Sequence, residues 1–492
     1  MSDQGIDLGI DFGTTNCTVG RVLPDGRTPV NGPMPSVGAW RNGQVVFGDE
    51  ARRHLASPEA TYFPVRDLKL LLGGNQALRA GRVDLDPVKL SAELVRQLTR
   101  RYYPKDRLRS AVIGTPVRMP GEHRKALREA TRLAGFESVR FVYEPTAALF
   151  ASWQGGRTGR DLALVVDWGG GTLDLALVRV ENYLYREIIV DGDISDLGGT
   201  EIDELLKDRV LEAHPAARAA VERQDGGRDR FKQAVEAEKI TLLEGADGED
   251  AEPRLVNSRW LDQEDEILLE ASLVYRVHRE FAAKARDGIV RMLVHADVRP
   301  QDVTHLLFAG GVCKCQPIKE EIGKIFKHAM VLQTANPQMQ TGLGCTRLTA
   351  RPFDVELAAD FAARQCDDRL CILMPRGQCV TLGNYRMAEF WVTGIDAQEA
   401  HFDLGVCHFD PMKGTLLSAD PATFRSLTTM HVALGKAELP GGQQIPDVVK
   451  LYTGVESNLT VAVFLESVRG KGQAQASLSG VPLALRIKEN AT

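Results

Sequence analysis

This 492-residue sequence lacks long apolar runs, tracts of one charge and paired cysteines. No apolar stretch reaches the ~18 residues that a membrane span requires, and residues 1–5 do not have the basic start of a targeting peptide. The eight cysteines include no C-x-x-C pair and have no histidines at zinc-finger spacing, so we expect reduced, mostly buried thiols. These absences predict a cytoplasmic protein with no membrane partner.

Charge is balanced along the chain. Lys and Arg number 60 against 66 Asp and Glu, and the formal net charge is -6. Because no basic tract is present, a nucleic-acid partner is not expected. With 43% hydrophobic and 26% charged residues, the composition is that of a folded globular protein, and the length corresponds to two or three domains of ~150 residues each.

The pattern of hydrophobic residues divides the chain into two parts. Up to about residue 350, short β-type runs alternate with long amphipathic stretches, which predicts α/β layers. After Arg351, short runs rich in Thr, Val and Leu are broken by Gly and Pro, which predicts a mostly β unit. The predicted boundaries are an α/β domain over 1–350, a linker over 351–364 and a β-rich domain over 365–492.

Several elements are predicted individually. The strands include Ser138–Tyr143 and Asp161–Trp168, and the helices include Glu144–Ser152. Residues 61–74 are predicted to form a surface loop, and residues 470–480 a flexible turn.

One strand-and-turn pattern occurs twice. Leu8–Thr15 and Val165–Thr172 are each an apolar strand that ends in an aspartate, Asp11 or Asp167, followed by an aromatic residue and small residues. Small residues let backbone N–H groups approach an anion closely. A single glycine-rich turn is more often only a tight hairpin, but the duplication favours two facing lobes that clamp a polyphosphate, with the carboxylates holding hydrated Mg²⁺.

Two common nucleotide-binding classes are excluded by their missing motifs. The sequence has no G-x-x-x-x-G-K-[ST] loop, and neither hairpin has a G-x-G-x-x-G that opens a helix. The remaining architecture is that of actin, sugar kinases and heat-shock ATPases, in which duplicated hairpins face one another across a cleft.

Within that architecture the chain resembles the heat-shock protein 70 (DnaK) chaperone family over residues 4 to about 350. The resemblance depends on five segments in the expected order: Ile10–Asn16, Tyr143–Ala148, Val166–Asp174, Asp196–Asp203 and Phe308–Gly311. It implies an α/β fold of duplicated actin-like and sugar-kinase-like ATPase lobes around a nucleotide cleft. It also implies a smaller, mostly β C-terminal domain, here a divergent peptide-binding domain for which no helical lid is expected.

The resemblance also implies the site residues and the cofactors, which are ATP or ADP and Mg²⁺. Lys69 would stabilise charge on the transferring phosphoryl group, with Arg66 as a rival, and Glu144 and Asp167 would orient the attacking water. Asp11 with Asp167 would hold the water ligands of Mg²⁺. The remaining implied catalytic or nucleotide-binding residues are Thr14, Thr15, Asn16, Gly170, Gly171, Thr172, Gly198, Gly199, Glu236, Lys239, Gly310, Gly311 and Lys314.

Each of these residues also has an ordinary structural interpretation. A Glu–Lys pair one helical turn apart, such as Glu236 and Lys239, usually contributes ~0.3 kcal/mol on a solvated face. Glu144 could be a carboxylate favoured by the dipole of the helix that it begins, and Lys69 could lie on a surface loop. Asp174 is either an outer partner of Mg²⁺, behind the groups that hold the ion, or an ordinary polar residue of its strand.

Two further residues, Pro116 and Arg124, match the spacing at which the family couples nucleotide state to its second domain. They could equally be a proline that ends a strand and an arginine on a helix face. The sequence departs from the family pattern at Leu243, Val312 and Gln338, which predicts lower nucleotide affinity or looser base preference. The family's acidic, leucine-rich linker is not recognisable.

These features predict an ATP-dependent, chaperone-like protein that hydrolyses ATP slowly and so controls binding of a polypeptide client or a dedicated protein partner, with a possible co-chaperone. One alternative is a nucleotide-sensing scaffold that docks one dedicated partner and has weak or no ATPase activity. Another is a small-molecule kinase, which would need a catalytic aspartate that no motif supplies.

Overall fold

A computed structural model describes most of the chain. The described residues are 5–56, 62–74, 78–117, 119–153, 161–181, 184–191, 197–224, 226–245, 248–258, 260–261, 266–351, 353–364, 369–407, 424–438, 440, 442–478 and 480–487. None of the helices that these residues form is long and apolar enough to cross a membrane.

The described residues up to 153 form one lobe. Its elements are β1 (Ile6–Phe12), β2 (Asn16–Gly20), β3 (Val30–Pro35), β4 (Gly38–Arg41), β5 (Gln44–Phe47), α1 (Asp49–Ala56), β6 (Phe63–Val65), α2 (Leu68–Leu71), β7 (Leu78–Ala80), β8 (Val83–Leu85), α3 (Pro87–Tyr102), β9 (Leu108–Thr115), α4 (Gly121–Leu133), β10 (Ser138–Tyr143) and α5 (Glu144–Ser152). Local chemistry sets several boundaries. For example, Asp86 caps α3 by accepting hydrogen bonds from the Val88 and Lys89 amides, and Pro87 occupies the first helical turn.

The second lobe follows. Its elements are β11 (Asp161–Trp168), β12 (Leu173–Glu181), β13 (Leu184–Asp191), α6 (Gly199–Ala213), α7 (Pro215–Arg223), α8 (Gly227–Glu244), β14 (Arg254–Leu255), β15 (Leu268–Leu269), α9 (Ala271–His295), β16 (His305–Ala309), α10 (Gln316–Gly323), β17 (Met330–Val331) and α11 (Gln340–Thr349). The strand β11 is buried along almost its whole length, as expected for a strand covered on both faces.

The duplication extends from the hairpins to the sheets of both lobes. The first-lobe sheet has the order β10-β9-β1-β2-β3, and the second-lobe sheet contains the equivalent order β17-β16-β11-β12-β13. In each sheet, three consecutive strands, β1-β2-β3 or β11-β12-β13, form an antiparallel meander. The first strand of the meander pairs in parallel with a fourth strand, which is β9 in the first lobe and β16 in the second. The repeated hairpins β1–β2 and β11–β12 therefore occupy matching places in two related sheets.

Helices α5 and α11 lie between the two sheets and cross at a close contact. Helix α11 packs on β1 and β9, whereas α5 also contacts β11 and β12. At the crossing, a Cβ atom placed on Gly344 would lie 1.9 Å from the Ala147 carbonyl oxygen. Only glycine permits this approach, because the obstructing atom belongs to the backbone and cannot rotate away.

We therefore expect Gly344→Ala to destabilise the protein by about 1–3 kcal/mol or more, since the added methyl group must push α5 away from α11. Thermal unfolding followed by circular dichroism would show a midpoint lowered by several degrees. The matched control is Gly323→Ala in α10, where a Cβ atom meets nothing within 4 Å. That substitution should be neutral or slightly stabilising, and equal effects of the two changes would refute the steric explanation.

Strands dominate the chain after residue 351. They are β18 (Phe353–Leu357), β19 (Asp360–Arg364), β20 (Leu370–Met374), β21 (Cys379–Val380), β22 (Tyr385–Trp391), β23 (Glu399–Cys407), β24 (Phe424–Ala433), β25 (Ala437–Glu438), β26 (Gln444–Ile445), β27 (Val448–Val455), β28 (Val461–Ser467), β29 (Gln473–Leu478) and β30 (Leu483–Ile487). Eight of them form two four-stranded sheets, β20-β19-β23-β24 and β22-β27-β28-β29, and β25 pairs with β26.

Part of this strand-rich region continues the second-lobe sheet. Strand β30 pairs antiparallel with β13 on one side and with β18 on the other. The segment 351–364, predicted to be a linker, contains β18 and β19. The two parts therefore share one sheet, and the division of the chain at 350 and 364 stays a prediction.

The strand-rich region also packs on helix α4 of the first lobe. The Asn458 side-chain amide donates a hydrogen bond to the Gly121 carbonyl at 3.2 Å, and Arg128 donates to Ser457. Apolar side chains of both parts belong to one continuous buried core. The turn between β27 and β28 is thus fixed against the start of α4.

Two local predictions are wrong. Residues 62–74 are not a surface loop, because they contain β6 and α2, and the side chains of Val65, Leu68 and Lys69 are buried. Residues 470–480 are not simply a flexible turn, because β29 occupies 473–478 and pairs with β28. In both segments, tertiary packing overrides the local signal of Gly and polar residues.

Candidate active site

The turns of the two repeated hairpins face one another directly. A Cβ atom on Gly170 would lie 1.8 Å from the Thr15 hydroxyl oxygen, and one on Gly171 would lie 3.0 Å from that of Thr14. The second turn is closed by the Gly169 amide, which donates to the Thr172 carbonyl at 2.9 Å. Glycine lets the two turns approach this closely, because a side chain at either position would press against a threonine side chain of the opposite hairpin.

The two aspartates are placed at equivalent positions beside these turns. Asp11 lies near the end of β1, in register with Gly114 of β9, and Asp167 lies near the end of β11, in register with Asp174 of β12. The negative charge of Asp11 acts on Asp167 and helps to raise its pKa. The two carboxylates therefore belong to one electrostatic cluster.

Lys69 and Glu144 form a buried ion pair next to the aspartates. The Lys69 Nζ donates to Glu144 Oε1 at 2.7 Å, and both side chains are buried. Lys69 lies in α2, which follows Asp67 in a left-handed conformation with φ of 54°, and Glu144 is the first residue of α5. The structure thus places Lys69 in the cluster, whereas the rival Arg66 lies against the Gln233 amide of α8.

The cluster contains more carboxylates than its one lysine can neutralise. Burial, followed by the charges of Asp174 and Asp11, raises the pKa of Asp167 to about 7. Burial also raises the pKa of Glu144, although Lys69 opposes the shift. The pKa of Lys69 is raised despite burial because Glu144 and Asp11 favour its charged form.

This donor set fits a hydrated Mg²⁺ ion, because hard divalent cations prefer carboxylate oxygens and would relieve the mutual repulsion. Asp11 and Asp167 would hold such an ion through its waters, with Asp174 behind them. The Thr172 hydroxyl donates to Asp174 Oδ2 at 2.7 Å. The Thr341 hydroxyl, on α11, donates to Asp167 Oδ2 at 3.3 Å.

The raised pKa of Asp167 predicts a pH dependence of stability without metal or nucleotide. The pKa of Asp167 is about 7 in the folded protein, against an ordinary value of 3.8. Its contribution to the free energy of unfolding is therefore fully present below about pH 4 and is lost as the pH rises through 7. The free energy of unfolding should therefore fall between pH 5 and pH 8 by roughly 2–4 kcal/mol less in Asp167→Asn than in the wild type. Urea unfolding in EDTA at both pH values measures the effect.

The control for this measurement is Asp302→Asn, which removes an exposed carboxylate whose pKa is lowered by hydrogen bonds from Arg299. Asp302 stays ionised across this range, so its replacement should leave the decline unchanged. An Asp167→Asn protein that loses stability between pH 5 and pH 8 as steeply as the wild type would contradict the assignment.

The glycine pair Gly198 and Gly199 adjoins the second hairpin. The Gly199 amide donates to the Gly169 carbonyl at 3.0 Å, and a Cβ atom on Gly198 would lie 2.6 Å from the Gly170 carbonyl oxygen. Asp196 of the same sequence segment lies outside the described residues. Helix α6 therefore begins directly against the glycine turn.

The residues predicted to bind adenosine have partners within the protein. The Lys239 Nζ donates to Asp203 Oδ1 at 2.5 Å in a buried pair, and the partly buried Glu236 is close enough to help raise the pKa of Asp203. Lys314 donates to Glu244 at 3.1 Å on the surface. A bound adenosine would have to displace or join these pairs.

Close backbone contact explains the first glycine of the predicted segment Phe308–Gly311. Gly310 has φ of 82°, and a Cβ atom there would lie 2.2 Å from the Trp168 carbonyl oxygen. Two of the three departures from the family pattern are adjacent to this segment, since Val312 packs near Gly199 and Gln338 near Gly311. Thr341 was missed as a site residue because no local motif distinguishes it, and Asp203 was given no role in the site although it ends the predicted segment Asp196–Asp203.

Of the two residues predicted to couple the domains, Arg124 is connected to the strand-rich region through Tyr143. Arg124 is fully buried, and its Nη1 donates to the Tyr143 hydroxyl at 3.4 Å. That hydroxyl in turn donates to the Leu459 carbonyl at 3.3 Å. Pro116 follows β9, and its carbonyl accepts from the Met119 amide at 3.2 Å.

Comparison with known proteins agrees with this geometry. The family model described as Hsp70 protein matches residues 69–350. The chaperone protein DnaK of Thermosipho africanus is 26% identical over 330 residues, which are 65% of this chain and 54% of that relative. The DnaK of Thermotoga petrophila is 27% identical over 331 residues, 65% of this chain and 55% of the relative. The DnaK of Mycoplasmopsis synoviae is 28% identical over 326 residues, which are 64% of this chain and 54% of that relative.

The chain spans about half the length of these relatives. The family match covers more than half of the chain and ends with α11, so it takes in Lys69, Glu144, the second hairpin and all of the second lobe up to the strand-rich region. Duplicated lobes, facing hairpins and this match confirm the resemblance found in the sequence. The chain belongs to the Hsp70 family, with actin-like ATPase lobes followed by a strand-rich C-terminal region.

Proposed function

We propose that the chain binds Mg·ATP between its two lobes, hydrolyses it slowly, and uses the nucleotide state to control binding of a polypeptide by the strand-rich region. The observation that carries this proposal is the meeting of two glycine-bearing turns beside a buried cluster of carboxylates with a single lysine. Such a cradle suits a polyphosphate and its metal ion, and Hsp70-family membership supports the same chemistry.

The proposed roles follow from position. Thr14, Thr15 and Asn16 on one turn and Gly170, Gly171 and Thr172 on the other would hold phosphate oxygens through amide and hydroxyl groups. Lys69 would stabilise charge that develops on the transferred phosphoryl group. Mg²⁺ supplies charge neutralisation at the phosphates when it is bound.

Water orientation is assigned to Glu144 and Asp167. A carboxylate must be ionised to accept a proton from the attacking water, and Lys69 favours the ionised form of Glu144 through the 2.7 Å contact. The neighbouring carboxylates oppose ionisation. Neutralisation of those carboxylates by a bound cation would therefore lower the pKa of Glu144 towards its working form.

Coupling to the strand-rich region would use Arg124. The contacts from Arg124 to Tyr143 and from Tyr143 to Leu459 connect α4 and β10 to the turn between β27 and β28. Tyr143 directly precedes Glu144, so a movement of α5 on loss of the γ-phosphate would reach this turn. Pro116, at the end of β9, would act with Arg124.

Strand β22 is the proposed surface for a polypeptide partner. It lies at one edge of the sheet β22-β27-β28-β29, and its large apolar side chains at alternate positions are 48% (Tyr385), 51% (Met387) and 68% (Trp391) exposed. An extended apolar segment can add to such an edge as a further strand, with main-chain hydrogen bonds supplying affinity.

The nucleotide-sensing scaffold is the second candidate, and one observation favours it. Lys239 and Lys314 are already paired with Asp203 and Glu244, so binding of adenosine at these residues would cost interactions within the protein. Lower nucleotide affinity would follow, and hydrolysis would slow at ATP concentrations that do not saturate the site.

The two functions are distinguished by testing unrelated peptides. Release of a labelled apolar peptide from the full-length protein would be measured with ATP and with ADP, together with phosphate production. The chaperone-like function predicts slow hydrolysis and faster peptide release with ATP. Met387→Glu should weaken peptide binding, whereas the control Val294→Glu, at an exposed apolar residue of α9, should not. Absence of peptide binding together with ATP-dependent capture of one protein partner would establish the scaffold instead.

A further inference from the structure

The exposed face of the β23–β24 hairpin carries two histidines and a glutamate side by side. His401 lies directly opposite His431 in the antiparallel register. Glu399 precedes His401 by two residues, so both point to the same face of the sheet. These three exposed residues are named the His–Glu cluster here. The alternate residues Phe402 and Met430 are buried on the other face.

The side chains of the His–Glu cluster are already almost at coordination distance. Glu399 Oε2 lies 3.5 Å from His401 Nε2 and 3.7 Å from His431 Nδ1. One potential ligand atom from each residue lies within 4.8 Å of the other two. Two ligands of a tetrahedral Zn²⁺ ion, each bound at ~2.0–2.1 Å, are ~3.3 Å apart. Small rotations of exposed side chains would therefore bring all three to one ion.

We propose that the His–Glu cluster binds one divalent transition-metal ion of the zinc type, with water completing its coordination. Two imidazole nitrogens and one carboxylate oxygen suit Zn²⁺, whereas Mg²⁺ selects oxygen ligands. The cluster differs in this respect from the lobe cleft, whose four acidic residues offer only oxygen. The two sites would therefore take different ions, and Mg²⁺ would not compete effectively for the His–Glu cluster.

The position of the cluster indicates what bound metal would do. The chain connects β23 to β24 at Cys407 and Phe424, whereas His401 and His431 lie towards the opposite, open end of the hairpin. An ion held there would cross-link the two strands where the chain does not. Because the three ligands converge only in the folded register, metal binding would stabilise the strand-rich region.

Calorimetric titration of Zn²⁺ into the full-length protein tests the proposal, in EDTA-treated samples and a buffer that does not bind metal. We expect the wild type to bind one more Zn²⁺ ion per chain than His431→Gln and than His401→Gln. Glu399→Gln should weaken this binding step by at least roughly tenfold, since even the loss of an outer partner of a metal ligand costs about 10–100-fold. Zn²⁺ should raise the thermal midpoint of the wild type and not that of His431→Gln.

The matched control is His328→Gln, which removes an exposed histidine after α10 and should leave the titration unchanged. Co²⁺ in place of Zn²⁺ should give a spectrum without the intense near-ultraviolet band of thiolate ligands, which excludes the exposed Cys379 as the binding group. Circular dichroism without metal confirms that each variant folds. Identical Zn²⁺ titrations of the wild type and His431→Gln would overturn the proposal.

Discussion

Replacement of Lys69 by alanine should slow ATP hydrolysis by a factor of about 10²–10³ or more, because it removes the one cation of the cluster that could stabilise the transferring phosphoryl group. The pKa of Glu144 is raised by burial, so this carboxyl group can take up a proton when Lys69 is lost, and the fold should survive. Single-turnover hydrolysis with saturating ATP measures the chemical step, and titration with labelled ATP measures binding.

Binding and hydrolysis should separate in this variant. We expect ATP affinity to change much less than turnover, since the glycine turns and hydroxyl groups that hold the phosphates remain. The control is Lys89→Ala, at a lysine whose side chain is 79% exposed, which should hydrolyse ATP like the wild type. Wild-type turnover in Lys69→Ala would show that Lys69 is not the catalytic lysine and would favour Arg66 instead.

Replacement of Asp11 or Asp167 by asparagine should abolish the stimulation of hydrolysis by Mg²⁺. Asparagine keeps the size of the side chain and removes the negative charge that holds a hydrated cation. Phosphate production measured across a range of Mg²⁺ concentrations should show an activation curve in the wild type and no activation in either variant.

The same control as for stability, Asp302→Asn, should leave Mg²⁺ activation intact. Asp167→Asn makes a further distinction, because it should lose hydrolysis while gaining stability at pH 8 in the absence of metal. A purely structural aspartate would not combine these two effects. Mg²⁺ activation at normal concentrations in both Asp11→Asn and Asp167→Asn would show that the carboxylates do not hold the ion.

Elements with a strong periodic pattern could be predicted closely from the sequence. The predicted bounds of β10, β11 and α5 coincide with those of the structure, because buried apolar runs and a turn or a proline mark their ends. The duplicated hairpins were also recognised, since an aspartate between an apolar strand and small residues is a local signal. Their continuation into two matching sheets required the strand pairings.

Features that depend on distant contacts could not be predicted. Strand β30 joins the second-lobe sheet between β13 and β18, although almost three hundred residues separate it from β13, and no local pattern specifies that pairing. Lys69 looked like a residue of a surface loop because the surrounding glycines and polar residues are typical of loops. Its burial depends on an ion pair with Glu144, which is remote in the sequence.

The site itself was predicted in outline and incompletely in detail. The resemblance gave Asp11, Asp167, Glu144 and Lys69 together, and the structure brings them into one cluster. The resemblance could not predict the pairing of Lys239 with Asp203, because a salt bridge between two helices has no signature in the sequence of either helix. Pairings of this kind determine how readily an adenosine can enter.

One measurement tests most directly whether the two hairpins meet around a shared metal ion and triphosphate. ATP would be titrated calorimetrically into the full-length protein with Mg²⁺ and with EDTA; a chain cut at residue 350 would lack β30 and is unsuitable. We expect one ATP per chain, bound at least about tenfold more weakly in EDTA, with Asp11→Asn and Asp167→Asn insensitive to Mg²⁺. ATP binding of equal strength with Mg²⁺ and with EDTA in the wild type, or no binding at all, would contradict the shared site.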